Sequence, residues 1–153
     1  MATAAFGLIG ALIGAIAALA GQLLSIRATA RRQLILRLHE ACAIVWMLEQ
    51  EVDYAAWEAL RGKVGRLDSW DFSARRKAEA EIRLLSTRND LLNGLKALTA
   101  AGIKLSIAVS VDQSSLDHDE VKMLRIKHRD ALERFENQAR VAIGAPAIST
   151  ASV

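Results

Sequence analysis

The chain has 153 residues, of which 52% are hydrophobic but only 5% aromatic, and it contains a single proline, Pro146. This composition favours helices over an all-β core and excludes a disordered chain. Four arginines and no acidic residue precede Glu40. The rest of the chain, from Glu40 onward, holds the other 16 of the 20 basic residues and all 17 acidic residues. A surplus of positive charge that is confined to the start of the chain fits a contact with anionic lipid headgroups and argues against a nucleic-acid-binding surface.

The first 26 residues predict a transmembrane helix, because residues 5–26 carry no charge. As a helix, 22 residues extend about 33 Å, against a hydrocarbon core of about 30 Å. The motif Ala18-Leu19-Ala20 resembles a signal-peptide cleavage site, but the segment before the apolar run lacks the usual Lys or Arg. We therefore expect an uncleaved single span rather than a secretion signal.

The orientation of this span follows from the arginines. Basic residues concentrate on the cytoplasmic side of a membrane helix, and here they come only after the span. The sequence therefore predicts a membrane protein with a cytoplasmic C-terminal body. The residues expected to set topology and to contact lipid headgroups are Arg27, Arg31, Arg32 and Arg37.

Small residues recur at four-residue spacing within the predicted span. Such spacing lets the backbones of two membrane helices approach closely. We expect a helix-packing face that comprises Gly7, Gly10, Ala11, Gly14, Ala18 and Gly21. One alternative is a plain anchor that is merely rich in alanine, and another is a pore-lining role, although only Gln22 and Ser25 supply polarity, near one end of the span.

A long amphipathic helix is predicted from about residue 27 to 61, as a continuation of the span. Apolar residues follow a regular 4-3 spacing, which is typical of a coiled-coil or bundle seam. This seam comprises Leu34, Leu38, Ala41, Val45, Leu48, Val52, Ala55 and Ala59. It serves either as the core of one chain or as a self-association surface.

Two further helices complete the predicted all-α bundle of residues 27–144. After a loop at 62–73, an apolar stripe indicates a second helix over about 74–100. Its basic start, Arg75 to Lys77, is interpreted as a solvated turn, or as a contact with lipid headgroups or with an acidic partner. Residues 102–111 alternate apolar and polar, a strand signature, but a lone strand has no partner here, so we favour a helix or a packed extended segment.

The last helix is expected over about 115–143, capped by Ser114, Ser115 or Asp117. A flexible tail is expected to follow over 145–153.

Catalytic and metal-binding motifs are missing from the sequence. The segment His39 to Ala43 begins like the zinc-protease motif but has Ala where the second histidine is needed. His118 and His128 lack metal-ligand spacing, and Glu49/Asp53 resembles any charged helix face. Cys42, the only cysteine, cannot form an intrachain disulfide. We expect no enzyme, no metal and no cofactor.

The expected function is that of a self-associating, membrane-anchored scaffold or interaction module. Its partners are the lipid bilayer, further copies of the chain and an unidentified protein. One alternative is a membrane-permeabilising effector of a lysis or defence type, and another is an anchor whose helical body lies outside the cytoplasm.

Overall fold

The structure is a computed structural model that describes residues 2–63, 72–110 and 117–145, with side chains from Ala18 onward. Four helices lie in these ranges: α1 (Ala2–Ala59), α2 (Phe72–Leu85), α3 (Asn89–Val109) and α4 (His118–Ala142). No strand occurs among the described residues, so the all-α prediction is confirmed. The chain forms two units, residues 1–36 and 37–153.

The second unit is a helical bundle around the predicted seam of α1. From Leu38 to Ala59 every seam residue is buried, against side chains that include Ile82, Leu98 and Phe135 from the other helices. Leu34 is the exception and remains 50% exposed. From Leu38 onward the seam therefore packs within one chain, as the core interpretation of that stretch predicts.

The predicted helix over 74–100 is two helices. The helical assignment stops after Leu85 and resumes at Asn89, with Ser86, Thr87 and Arg88 between them. The Ser86 hydroxyl is buried and accepts a hydrogen bond from the Arg88 backbone N–H at 3.2 Å. This local bond competes with helical pairing of the backbone, as serine often does. The body therefore has four helical segments, including its part of α1, where three were expected.

The segment that alternates like a strand is the end of α3, which continues to Val109. Leu105 and Val109 are buried, whereas Ile103 and Ile107 are exposed. The two buried residues are four apart, as one face of a helix requires, and the same spacing fits a strand period of two. Packing decides between the two readings in favour of the helix.

The ends of α4 follow sequence signals. The Asp117 side chain accepts hydrogen bonds from the backbone N–H groups of Asp119 and Glu120, both at 3.0 Å, which confirms it as the N-cap. At the other end Gly144 has φ +83°, a conformation that glycine adopts without strain. The central part of the predicted loop, 64–71, Ser114 and Ser115, and tail residues 146–153 lie outside the described residues.

Among the residues searched, α3 is the one helix that is long and apolar enough to cross a membrane. About a third (33%) of its apolar window is buried inside the bundle, through residues such as Leu95, Leu98 and Leu105. A core helix of a bundle has the same length and composition. The core that α3 helps to build accounts for this buried third, whereas most of the window, including Ile103 and Ile107, is not buried in the bundle.

Candidate functional site

The predicted membrane-helix face is described only in part. Its backbone is helical throughout α1, but the burial and surroundings of Gly7, Gly10, Ala11 and Gly14 are not described. Ala18 and Gly21 are exposed, and a Cβ added at Gly21 would meet nothing within 4 Å. The outer surface at Gly21 is thus open to a neighbour from outside the chain.

The four predicted headgroup residues are all exposed. Arg27, Arg31, Arg32 and Arg37 form no ion pair with any described residue. Their positive charge is therefore not neutralised within the described part of the chain.

A buried ionic network in the bundle is the most unusual feature of the described structure. Glu49 on α1 and His128 on α4 are both 0% exposed, and Arg75 on α2 is 4% exposed. Glu49 Oε1 accepts two hydrogen bonds from the Arg75 guanidinium, one of them from Nε at 2.8 Å. Its other oxygen, Oε2, lies 2.7 Å from His128 Nε2. One carboxylate thus joins three helices.

The same guanidinium extends the network to α3. Arg75 Nη1 donates to Glu79, one turn further along α2, and Nη2 donates to the Thr99 hydroxyl at 3.3 Å. The Thr99 oxygen also lies 2.6 Å from Glu79 Oε1 and 2.8 Å from the Leu95 carbonyl, either of which can accept its single proton. With Thr99 included, the network joins all four helices of the bundle.

Gly102 makes room for Glu49 between α1 and α3. A Cβ at this position would overlap Glu49 Oε2 and lie 3.1 Å from its Cδ. Any larger residue on α3 would displace the carboxylate. Glycine is needed here for close approach, because the helical backbone itself is unstrained.

His128 has one nitrogen in use and one without a partner. A carboxylate oxygen can only accept, so Nε2 carries the proton that it shares with Glu49. Nδ1 is buried and has no hydrogen-bond partner among the described residues. A buried polar atom of this kind costs free energy, so the apolar core on its own does not account for a histidine at this position.

The network can position helices. Its central carboxylate and imidazole are inaccessible to solvent, and each charge has an opposite partner at hydrogen-bonding distance. Removing one member of such a buried group is costly, because the remaining charge stays buried without compensation. The network therefore holds the four helices together.

Sequence reasoning missed this network because it assigned its charged members to the surface. Glu49 was read as part of a charged helix face and Arg75 as part of a solvated or lipid-contacting turn, and both are wrong. The sequence signal that could have identified these buried positions is a spacing of seven residues from buried apolar residues on the same helix. It places Glu49 between Cys42 and Ala56, His128 between Val121 and Phe135, and Gly102 between Leu95 and Val109.

The described residues contain no group of three or more His, Cys, Asp or Glu side chains that could hold a metal ion. Cys42 is a free, buried thiol. Burial raises its pKa to about 12, and since the thiolate is the nucleophile, the thiol is unreactive at neutral pH. It is a core residue of the bundle.

Comparison of the chain with protein-family models, with curated proteins and with solved structures finds no match.

Proposed function

We propose that this chain is a non-enzymatic, single-pass membrane protein that presents a helical bundle on the cytoplasmic side and self-associates through its membrane helix. The observation that supports the anchor is the exposure of large apolar side chains on α1. Leu19, Leu23, Leu24 and Ile26 are 57–67% exposed. No described residue covers them, and a lipid bilayer would.

The charge next to these residues supports the same proposal. Arg27, Arg31 and Arg32 follow the apolar stretch directly and are exposed. Near the surface of an anionic leaflet, each such residue contributes about 1 kcal/mol of attraction. An apolar stretch followed by exposed arginines suits a helix that leaves the bilayer on its cytoplasmic side.

Self-association through the membrane helix gains support from the burial of the seam. The bundle uses the residues from Leu38 to Ala59 for its own core, so that stretch is not free to pair with another copy. The small-residue face of the span, centred on Gly10 and Gly14, is the remaining candidate surface.

Anchoring is tested by placing charge in each of the two apolar helices. Ile13→Arg with Ile16→Arg puts two arginines in the centre of the proposed span, at roughly 3 kcal/mol each by insertion scales. The matched variant, Ile103→Arg with Ile107→Arg, charges two exposed positions of α3. We expect the α1 variant to leave the membrane fraction in alkaline extraction and flotation, and the α3 variant to remain. The reverse result would make α3 the anchor and overturn the proposal.

Self-association is tested with Gly10→Leu and Gly14→Leu in one chain. We expect chemical crosslinking in a bilayer to yield fewer oligomers, because two leucines hold the helix backbones apart, while circular dichroism shows an unchanged helical body. The control is Ile9→Leu with Ile13→Leu, which conserves volume and hydrophobicity in the same helix. An unchanged oligomer in the glycine variant would refute the membrane interface. Dye release from vesicles on addition of the chain would instead favour the permeabilising alternative.

A further inference from the structure

We propose that a groove between α1 and α4 is the docking site for a basic amphipathic helix of a partner protein. Two adjoining cavities of about 430 and 400 Å³ lie between these helices and share Trp46 and Glu136. Both are lined only by residues of α1 and by residues of α4 and its C-terminal end. We call the two together the α1–α4 groove. This inference goes beyond the proposed function and does not depend on the membrane anchor.

One half of the groove is acidic. Asp53, Asp130, Glu133 and Glu136 line it, and Arg129 is the single basic residue there. Arg125 holds Asp53 through two hydrogen bonds of 2.9 Å, and Arg140 lies 3.6 Å from Glu136. Asp130 and Glu133 form no ion pair with any described residue, so their charges are available to a cationic partner.

The other half of the groove is mostly apolar. Its walls include Cys42, Ala43 and Trp46 from α1, and Phe135 and Ala139 from α4. Trp46, at the junction of the two halves, is 37% exposed. Tryptophan is enriched at the centres of protein interfaces, and its ring also attracts cations. The groove thus offers an apolar anchor next to a row of carboxylates.

The length of the groove suits a short helix. Its α1 wall runs from His39 to Asp53, which is about 21 Å at 1.5 Å per residue. A helix of about 14 residues fills that distance, with apolar side chains at spacings of three and four facing the groove. Complementarity requires Lys or Arg at its acidic end and apolar residues at the other end.

A second copy of this chain is a poor occupant. A two-fold symmetric contact through the groove would bring the same patch of each copy together. With the two-fold axis at the acidic half, Asp130 and Glu133 of one chain would approach the same carboxylates of the other. With the axis at the middle of the groove, they would face the mostly apolar half of the other chain. Like charges across an interface oppose association, and burying an unpaired carboxylate is costly, so the groove favours a partner of opposite charge.

The test uses the full chain in a neutral detergent and a fluorescent peptide of about 14 residues, the length that fits the groove. The peptide has leucines at three- and four-residue spacing and lysines at one end, and a matched peptide has glutamates in place of the lysines. Fluorescence anisotropy measures binding, and empty micelles give the background. The groove variants are Asp130→Asn with Glu133→Gln, and separately Trp46→Ala. The control variant is Glu51→Gln with Glu120→Gln, two exposed acids outside the groove.

We expect the lysine peptide to bind the native chain and the control variant equally, and each groove variant at least about five-fold more weakly, since two charge contacts are lost or an anchor is removed. We expect the glutamate peptide to remain unbound. Equal binding to all variants, binding of the glutamate peptide, or no binding to the native chain up to about 1 mM peptide, would overturn the proposal. A change in the oligomeric state of the groove variants would also overturn it, because the occupant would then be a second copy.

Discussion

Glu49 is the residue on which the buried network depends most, because Arg75 and His128 both bind its carboxylate. We predict that Glu49→Gln destabilises the bundle by about 3–5 kcal/mol, since it leaves the buried Arg75 cation without its main compensating charge. Chemical denaturation followed by circular dichroism measures the effect. Glu51→Gln, an exposed acid on the same helix, should change stability by no more than about 0.5 kcal/mol. Similar losses for the two variants would contradict the role of the network.

Cys42 provides a second prediction for a single residue. Burial keeps its thiol protonated, with a pKa of about 12, so we predict that a maleimide does not label the native chain at neutral pH. Ser110→Cys, a near-isosteric change at an exposed position, should give one rapidly labelled thiol. Mass spectrometry counts the labels, and denaturant should expose Cys42 and raise the count to two. Rapid labelling of the native chain would show that the core around Cys42 opens easily.

The close approach of α1 to α3 can be tested at the level of the two helices. Alanine normally stabilises a helix by about 1 kcal/mol over glycine, but at Gly102 its Cβ would displace the Glu49 carboxylate. We predict that Gly102→Ala lowers stability despite this gain. Gly94→Ala is the control on the same helix. Its Cβ would overlap Gln138 Oε1, but that oxygen has no hydrogen-bond partner among the described residues, so the Gln138 side chain can turn away, whereas the Glu49 carboxylate is held by Arg75 and His128. Differential scanning calorimetry should show a lower melting temperature for Gly102→Ala and a near-native one for Gly94→Ala.

The helices differ in how far their sequence could predict them. The α1 seam and the Asp117 cap were predictable because regular apolar spacing and a side-chain cap are local patterns. The break at Ser86 was not, since the apolar stripe continues from Ile82 and Leu85 into the next helix and no Gly or Pro marks the gap. The end of α3 was ambiguous because residues four apart satisfy both a helix and a strand.

At the scale of the whole bundle, the network separates two apolar clusters. One cluster contains Val45, Leu98 and Phe135, and the other contains Val52, Leu105 and Val121. Glu49 and His128 lie between these clusters in sequence on their respective helices. Arg75 of α2 binds Glu49, and Thr99 of α3 joins the network through Arg75, both at long sequence separation, so no single helix reveals the network. Heptad spacing could have identified buried charged positions, but not which charges meet.

Membrane orientation is a property of the whole molecule. It can be measured with single introduced cysteines, because we expect the native Cys42 not to react with a maleimide. We predict that Thr3→Cys reacts with a membrane-impermeant maleimide in intact cells, because the arginines after the span favour a short N-terminus outside. Ser110→Cys, in the bundle, should react only after the cells are permeabilised. The native chain is the control and should remain unlabelled in both conditions. Labelling of Ser110→Cys in intact cells would place the bundle outside the cytoplasm, and the positive charges of Arg27, Arg31 and Arg32 would then need a different role.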